Sequence, residues 1–162
     1  MNDDRFIQRD RMRFIRNSTS ANLCYLGILF NVFYFVNLYQ SDVGTYYYQI
    51  FIGASIVYNL LFLLIVFLAS EAVKNYVKSY SYLLAGIGAM QIVRIFYIPM
   101  RAHAAMTAVN GVDVRVMGDG QFYILVAFLV ISAACLLVSA AVNFKKCQEL
   151  AEHVKTLESQ SA

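Results

Sequence analysis

The sequence predicts an all-α integral membrane protein: a bundle of four transmembrane helices with both termini in the cytoplasm and a small β-hairpin on the outer side. Three observations carry this expectation. Four apolar runs cover about residues 21–39, 49–69, 77–98 and 122–144, and each is long enough, at about 1.5 Å per residue, to cross roughly 30 Å of hydrocarbon. The chain is 60% hydrophobic and 14% charged, whereas a soluble domain carries about 25% charge. Finally, the basic residues outside the runs are unevenly placed. Arg5, Arg9, Arg11, Arg13, Arg16, Lys74, Lys78, Lys145, Lys146 and Lys155 fall on one side of a four-span chain, and only Arg101 and Arg115 on the other. Basic residues in short connections are retained in the cytoplasm, so this imbalance assigns residues 1–17 and 145–162 to the inside.

Residues 1–17 form a basic arm in which Phe6, Ile7, Met12, Phe14 and Ile15 alternate with arginines. Such a segment suits the membrane interface, with Arg5, Arg9, Arg13 and Arg16 among anionic lipid headgroups. The run that follows is as long as a full span and ends without a small-x-small cleavage pattern, which marks it as a retained helix rather than a signal peptide. A connection containing Asp42 and the tyrosine cluster Tyr46, Tyr47 and Tyr48 leads into the second span, and tyrosines favour the headgroup layer. The turn is short, so spans one and two make an antiparallel pair.

The third span carries Gly86, Gly88, Gln91 and Arg94 before Pro99, the one proline of the chain. Gly86-x-Gly88 lacks the strand–turn–helix setting of a nucleotide-binding loop and is expected to serve helix packing. Residues 99–121 form the longest connection, on the outer side. Asn110-Gly111 between β-branched residues predicts a two-residue hairpin turn. An isolated hairpin is marginal in water, so it must pack on the bundle or on a partner. The fourth span is rich in small residues (Ser132, Ala133, Ala134, Ser139, Ala140) suited to close helix contact. Residues 145–162 then form a cytoplasmic C-terminal helix with Leu150, Val154 and Leu157 on one stripe.

Arg94 is the one basic residue in the interior of any apolar run, Lys78 standing at the edge of the third. Placing it there costs about 2.5–3.5 kcal/mol on insertion scales, which makes it the first candidate for function. Gln91, Arg94 and Tyr97 are spaced three apart, and with Arg101 they are the expected contact set for a ligand or a partner. An amide and a phenol beside a guanidinium would suit a phosphate, a carboxylate or a partner's acidic side chain. The same arginine could instead snorkel to the headgroups or bond Asn31 or Asn37 of a neighbouring helix.

No catalytic motif occurs. His103 and His153 lie on opposite sides of the membrane, Cys24, Cys135 and Cys147 have no metal spacing, and Asp113 and Asp119 sit beside turn glycines. The expectation is therefore a non-enzymatic protein with no cofactor, no metal and no nucleic-acid partner. It acts as an accessory or assembly subunit of a larger membrane complex, a transport system being one possibility. The alternative is a homo-oligomeric pore or small transporter. Cys147, just past an apolar run, is a candidate for acylation. Asn17-Ser18-Thr19 matches a glycosylation acceptor but lies on the cytoplasmic side, where it is silent.

Overall fold

The computed structural model describes residues 14–39, 49–109 and 112–161. Arg5, Arg9, Arg13, the Tyr46–Tyr48 cluster and the Asn110-Gly111 turn lie outside them. The elements are α1 (Ser18–Tyr39), α2 (Gln49–Lys74), α3 (Ser79–Tyr97), α4 (Pro99–Ala104), β1 (Met106–Val109), β2 (Val112–Arg115) and α5 (Asp119–Ser161). Four helices, Ser18–Tyr39, Gly53–Lys74, Ser79–Ala104 with its break at Ile98, and Asp119–Ser159, are long and apolar enough to cross a membrane. They form an antiparallel bundle. In it α5 packs on α1 and α3, and α2 packs on α1 and more lightly on α3.

The element ends follow from local chemistry. Asn17 caps α1: its Oδ1 accepts the backbone N–H of Ser20 at 3.4 Å, one of the donors a helix start leaves unpaired. Helix α2 runs on to Lys74, past the apolar run, and closes with Val77 N–H bonded to Ala72 O and Tyr76 N–H to Val73 O, both at 3.2 Å. This is the paired-bond helix ending that requires a left-handed residue. Tyr76, at φ 60°, takes that position without being glycine. Pro99 has no N–H to continue α3, and its fixed φ suits a first helical position, so it opens the short α4. This helix was not legible inside the expected outer loop. No Gly or Pro occurs from Gln121 to Ser161, and the fourth span and the tail form one continuous helix of 43 residues. Its last part, 145–161, extends about 25 Å beyond the apolar run.

The bundle has two ends. One holds the start of α1, the α2–α3 turn and residue 144 of α5; the other holds α4 and the hairpin. Strands β1 and β2 pair antiparallel with Val109 opposite Val112, the register of a two-residue turn. Every residue of β2 is exposed. The ribbon is rooted by the residues after it: Val116 N–H bonds Ala105 O at 3.1 Å, and Ala105, Val116 and Met117 are buried. Arg115 Nη1 and His103 Nε2 both bond Asp119 Oδ1 at 2.8 Å, joining β2, α4 and the first turn of α5.

The core is layered along the bundle. At the hairpin end Tyr34, Leu38, Ala102, Met117, Leu125 and Leu129 form one apolar cluster. Nearer the other end Cys24, Phe62, Val66, Leu84, Leu136 and Ala140 form a second. Glycine allows the closest approaches. A Cβ on Gly27 would lie 3.1 Å from the Leu136 side chain, and one on Gly88 would lie 2.9 Å from Leu137 and 3.4 Å from Ala133 O. Gly86 was expected to pack as well. It is exposed, and a Cβ there would meet nothing within 4 Å. Two positions advance about 200° around an α-helix, so a Gly-x-Gly pair presents only one of its glycines to a single neighbour.

Below the second apolar cluster lies a polar layer that closes the end opposite the hairpin. Asn17 and Asn143 are both fully buried. Asn17 Nδ2 donates to Asn143 Oδ1 at 3.0 Å and to Ser20 Oγ at 2.9 Å. Asn143 Nδ2 donates to Ser81 Oγ at 2.8 Å and to Val77 O at 3.2 Å. Ser139 Oγ bonds Ser20 O at 2.8 Å. These bonds tie α1, α3 and α5 together, and the Asn17 backbone N–H adds the end of α2 through Lys74 O at 2.9 Å. Asn17 is thus engaged and enclosed, which by itself keeps its side chain from serving as a glycosylation acceptor in the fold.

Candidate functional site: a buried arginine centre

Between the two apolar clusters each of the four long helices contributes polar side chains to one centre. Asn31 of α1, Asn59 of α2, Gln91 and Arg94 of α3 and Ser132 of α5 are all buried. Asn31 is the hub. Its Oδ1 accepts Gln91 Nε2 at 2.9 Å and Arg94 Nη1 at 3.3 Å. Its Nδ2 donates to Asn59 Oδ1 at 3.4 Å, and Asn59 Nδ2 donates to Ser55 O at 2.8 Å. Gln91 Nε2 also reaches Ser132 Oγ at 3.4 Å, whose hydroxyl donates to Gly27 O at 2.8 Å. The close approach at Gly27 is what brings that carbonyl within reach.

Arg94 is 7% exposed. Its guanidinium carbon lies 4.5 Å from the Tyr34 ring centroid and 4.8 Å from that of Tyr58. Contact with a ring face contributes about 2 kcal/mol when the cation is desolvated, and a hydrogen bond to a charged group about 1.5–3 kcal/mol. Two rings and the Asn31 carbonyl therefore offset much of the burial penalty without a counter-charge. They do not offset all of it. Arg94 Nη2, Gln91 Oε1 and Ser55 Oγ are buried with no hydrogen-bond partner among the described residues, and each such atom costs about 1–3 kcal/mol. Among the described residues no carboxylate lies in this centre. Glu71 is exposed and bonds Tyr25 and Lys74, and the other described acids are in the hairpin region or the 145–161 segment.

The structure divides the expected contact set. Gln91 and Arg94 meet in the centre. Tyr97 is 55% exposed and lies on the outer surface beneath Arg101, whose guanidinium carbon is 4.9 Å from its ring. Arg94 and Tyr97 are neighbours on a helix surface, but the cation turns inward toward α1 and α2 while the ring turns outward. Arg16 is exposed just before α1. The two rings that clamp Arg94 were not distinguishable among twelve tyrosines. The useful signal was the adjacency of Tyr58 and Asn59 and the three-residue spacing of Asn31 and Tyr34, which put both pairs at the depth of Gln91 and Arg94. No group of three His, Cys, Asp or Glu side chains suited to a metal ion occurs among the described residues. No family model, curated protein or solved structure matches this chain.

Proposed function

We propose that this is a non-enzymatic four-span protein of the cell membrane, both termini cytoplasmic, that acts by binding as an accessory or assembly subunit of a larger membrane complex. A transport system is the first partner to look for. The observation that carries the reading is the layering of the core: the polar centre at Arg94 is closed toward one end by Leu38, Leu125 and Leu129 and toward the other by Phe62, Leu84 and Leu136. A conduit needs polar groups from one face to the other, and a single bundle plugged by leucines on both sides of its polar layer is poorly suited to conduct. What the chain offers instead is surface. The β2 ribbon stands exposed, with Val112 and Val114 in the open, and residues 145–161 project with Val154 and Leu157 exposed. The ten-to-two imbalance of Lys and Arg supports the cytoplasmic placement of the arm and tail, where the arm meets anionic headgroups.

The native mass of the protein, extracted from its own host in a mild detergent, tests this. A stoichiometric second polypeptide is the expected result. A homo-oligomer that conducts ions or solutes after reconstitution in liposomes would replace the accessory reading with the pore.

A further inference from the structure

Around the polar centre three buried atoms have no hydrogen-bond partner among the described residues, and they are chemically matched. Arg94 Nη2 and Ser55 Oγ can donate, and Gln91 Oε1 can only accept. Ser55 precedes by one turn both Tyr58, which touches the guanidinium, and Asn59, which bonds the hub. Helix α2 runs toward the end opposite the hairpin and α3 runs back, so Ser55 stands beyond Asn59 in the direction in which Arg94 stands beyond Gln91. Among the described residues nothing matches the charge: Arg94 bonds a neutral carbonyl and two rings, and no described carboxylate accompanies it.

We propose that the Arg94 centre is a binding site for one small oxyanion of single negative charge that retains a hydroxyl, the chemistry of bicarbonate or dihydrogen phosphate. One charge neutralises one guanidinium, whereas a divalent anion would leave net charge in a low-dielectric core. Two oxygens accept from Arg94 Nη2 and Ser55 Oγ, and the retained hydroxyl donates to Gln91 Oε1. A lipid phosphodiester supplies the same charge but no hydroxyl, so it would leave the Gln91 carbonyl unpaired. The proposal goes beyond the accessory reading above, which gives its contacts to the ribbon, the arm and the tail, and does not rest on it.

The test is thermal unfolding of the purified, detergent-solubilised protein titrated with inorganic phosphate or bicarbonate at constant ionic strength, with chloride as the reference. A saturable rise in Tm is expected. It should be lost in Arg94→Met, and in Ser55→Ala the apparent affinity should fall about tenfold, the loss expected for one hydrogen bond to a charged ligand. Ser55→Ala keeps the proposal testable if Arg94→Met does not fold. A response equal to that in chloride, or one unchanged in Ser55→Ala, overturns the proposal. So does native mass showing a phospholipid, or a partner polypeptide, that is released by Arg94→Met while phosphate has no effect. The last result would leave the accessory reading standing and give the arginine to a partner's carboxylate.

Discussion

Replacing Asn31 with Leu is expected to destabilise the protein by about 3 kcal/mol, more than any other single change to a neutral side chain in the bundle. Neutral hydrogen bonds between membrane helices average only about 0.6 kcal/mol, so the loss of the Asn59 contact decides little. The guanidinium decides the outcome. Asn31 Oδ1 accepts the one hydrogen bond that Arg94 makes to another side chain among the described residues, and it accepts Gln91 as well. Removing it leaves a buried cation with two orphaned nitrogens, and stripping one partner from a buried charge costs about 3–5 kcal/mol. The two tyrosine rings keep the value at the lower end. The sign of the coupling is the sharper prediction. Asn31→Leu combined with Arg94→Met should be more stable than Asn31→Leu alone, because replacing both partners with apolar groups removes the stranded charge. Asn37→Leu is the control. Among the described residues that amide bonds only the Phe33 carbonyl of its own helix, at 3.4 Å, and its loss should stay within about 0.5 kcal/mol. Reversible unfolding in mixed micelles reads all three.

Gly88→Val is expected to cost about 2–3 kcal/mol, and Gly86→Val close to nothing. A Cβ at Gly88 already lies 2.9 Å from Leu137 and 3.4 Å from the Ala133 carbonyl. The leucine can swing away from one methyl, but a branched side chain also meets backbone, and α3 must then lift off α5. Overpacking of this kind costs about 1–3 kcal/mol. The displacement would also strain the Gln91–Ser132 contact one turn away, so the upper part of that range applies. Gly86 opens outward with room for any side chain, and leaving glycine there favours the helix slightly. Equal losses at both positions would mean that α3 faces another helix on its outer side, as it would within an oligomer.

The number, order and type of the long helices were legible from run length alone, because 20 apolar residues between polar connections have few other solutions. The hairpin was legible because Asn-Gly between β-branched residues specifies a turn type, and its strands lie in the expected register. The short helix after Pro99 was hidden because proline reads equally as a stop and as a first helical residue. The site was half legible. Arg94 and Gln91 stand out as polar residues in an apolar run, and Asn31 was among the candidate partners. Which way Arg94 turns could not be read from spacing: a residue three positions from an outward tyrosine can point inward, and only the positions of α1 and α2 decide it. The Asn17–Asn143 layer was illegible for a related reason. The two asparagines are 126 residues apart, each lies at the end of an apolar run where polar residues are ordinary, and only the antiparallel packing of α1 and α5 brings them together.

The central claim, a four-span chain with arm and tail on one side and hairpin on the other, is tested most directly by labelling introduced cysteines in intact cells with a membrane-impermeant maleimide, in a Cys147→Ser background whose remaining Cys24 and Cys135 are buried. Val112→Cys, in the exposed ribbon, should react from outside. Ser159→Cys, in the exposed end of α5, should react only after the membrane is opened, as should Arg16→Cys. Reaction of Val112→Cys and Ser159→Cys from the same side would contradict the account, because the helix joining hairpin and tail would then not cross.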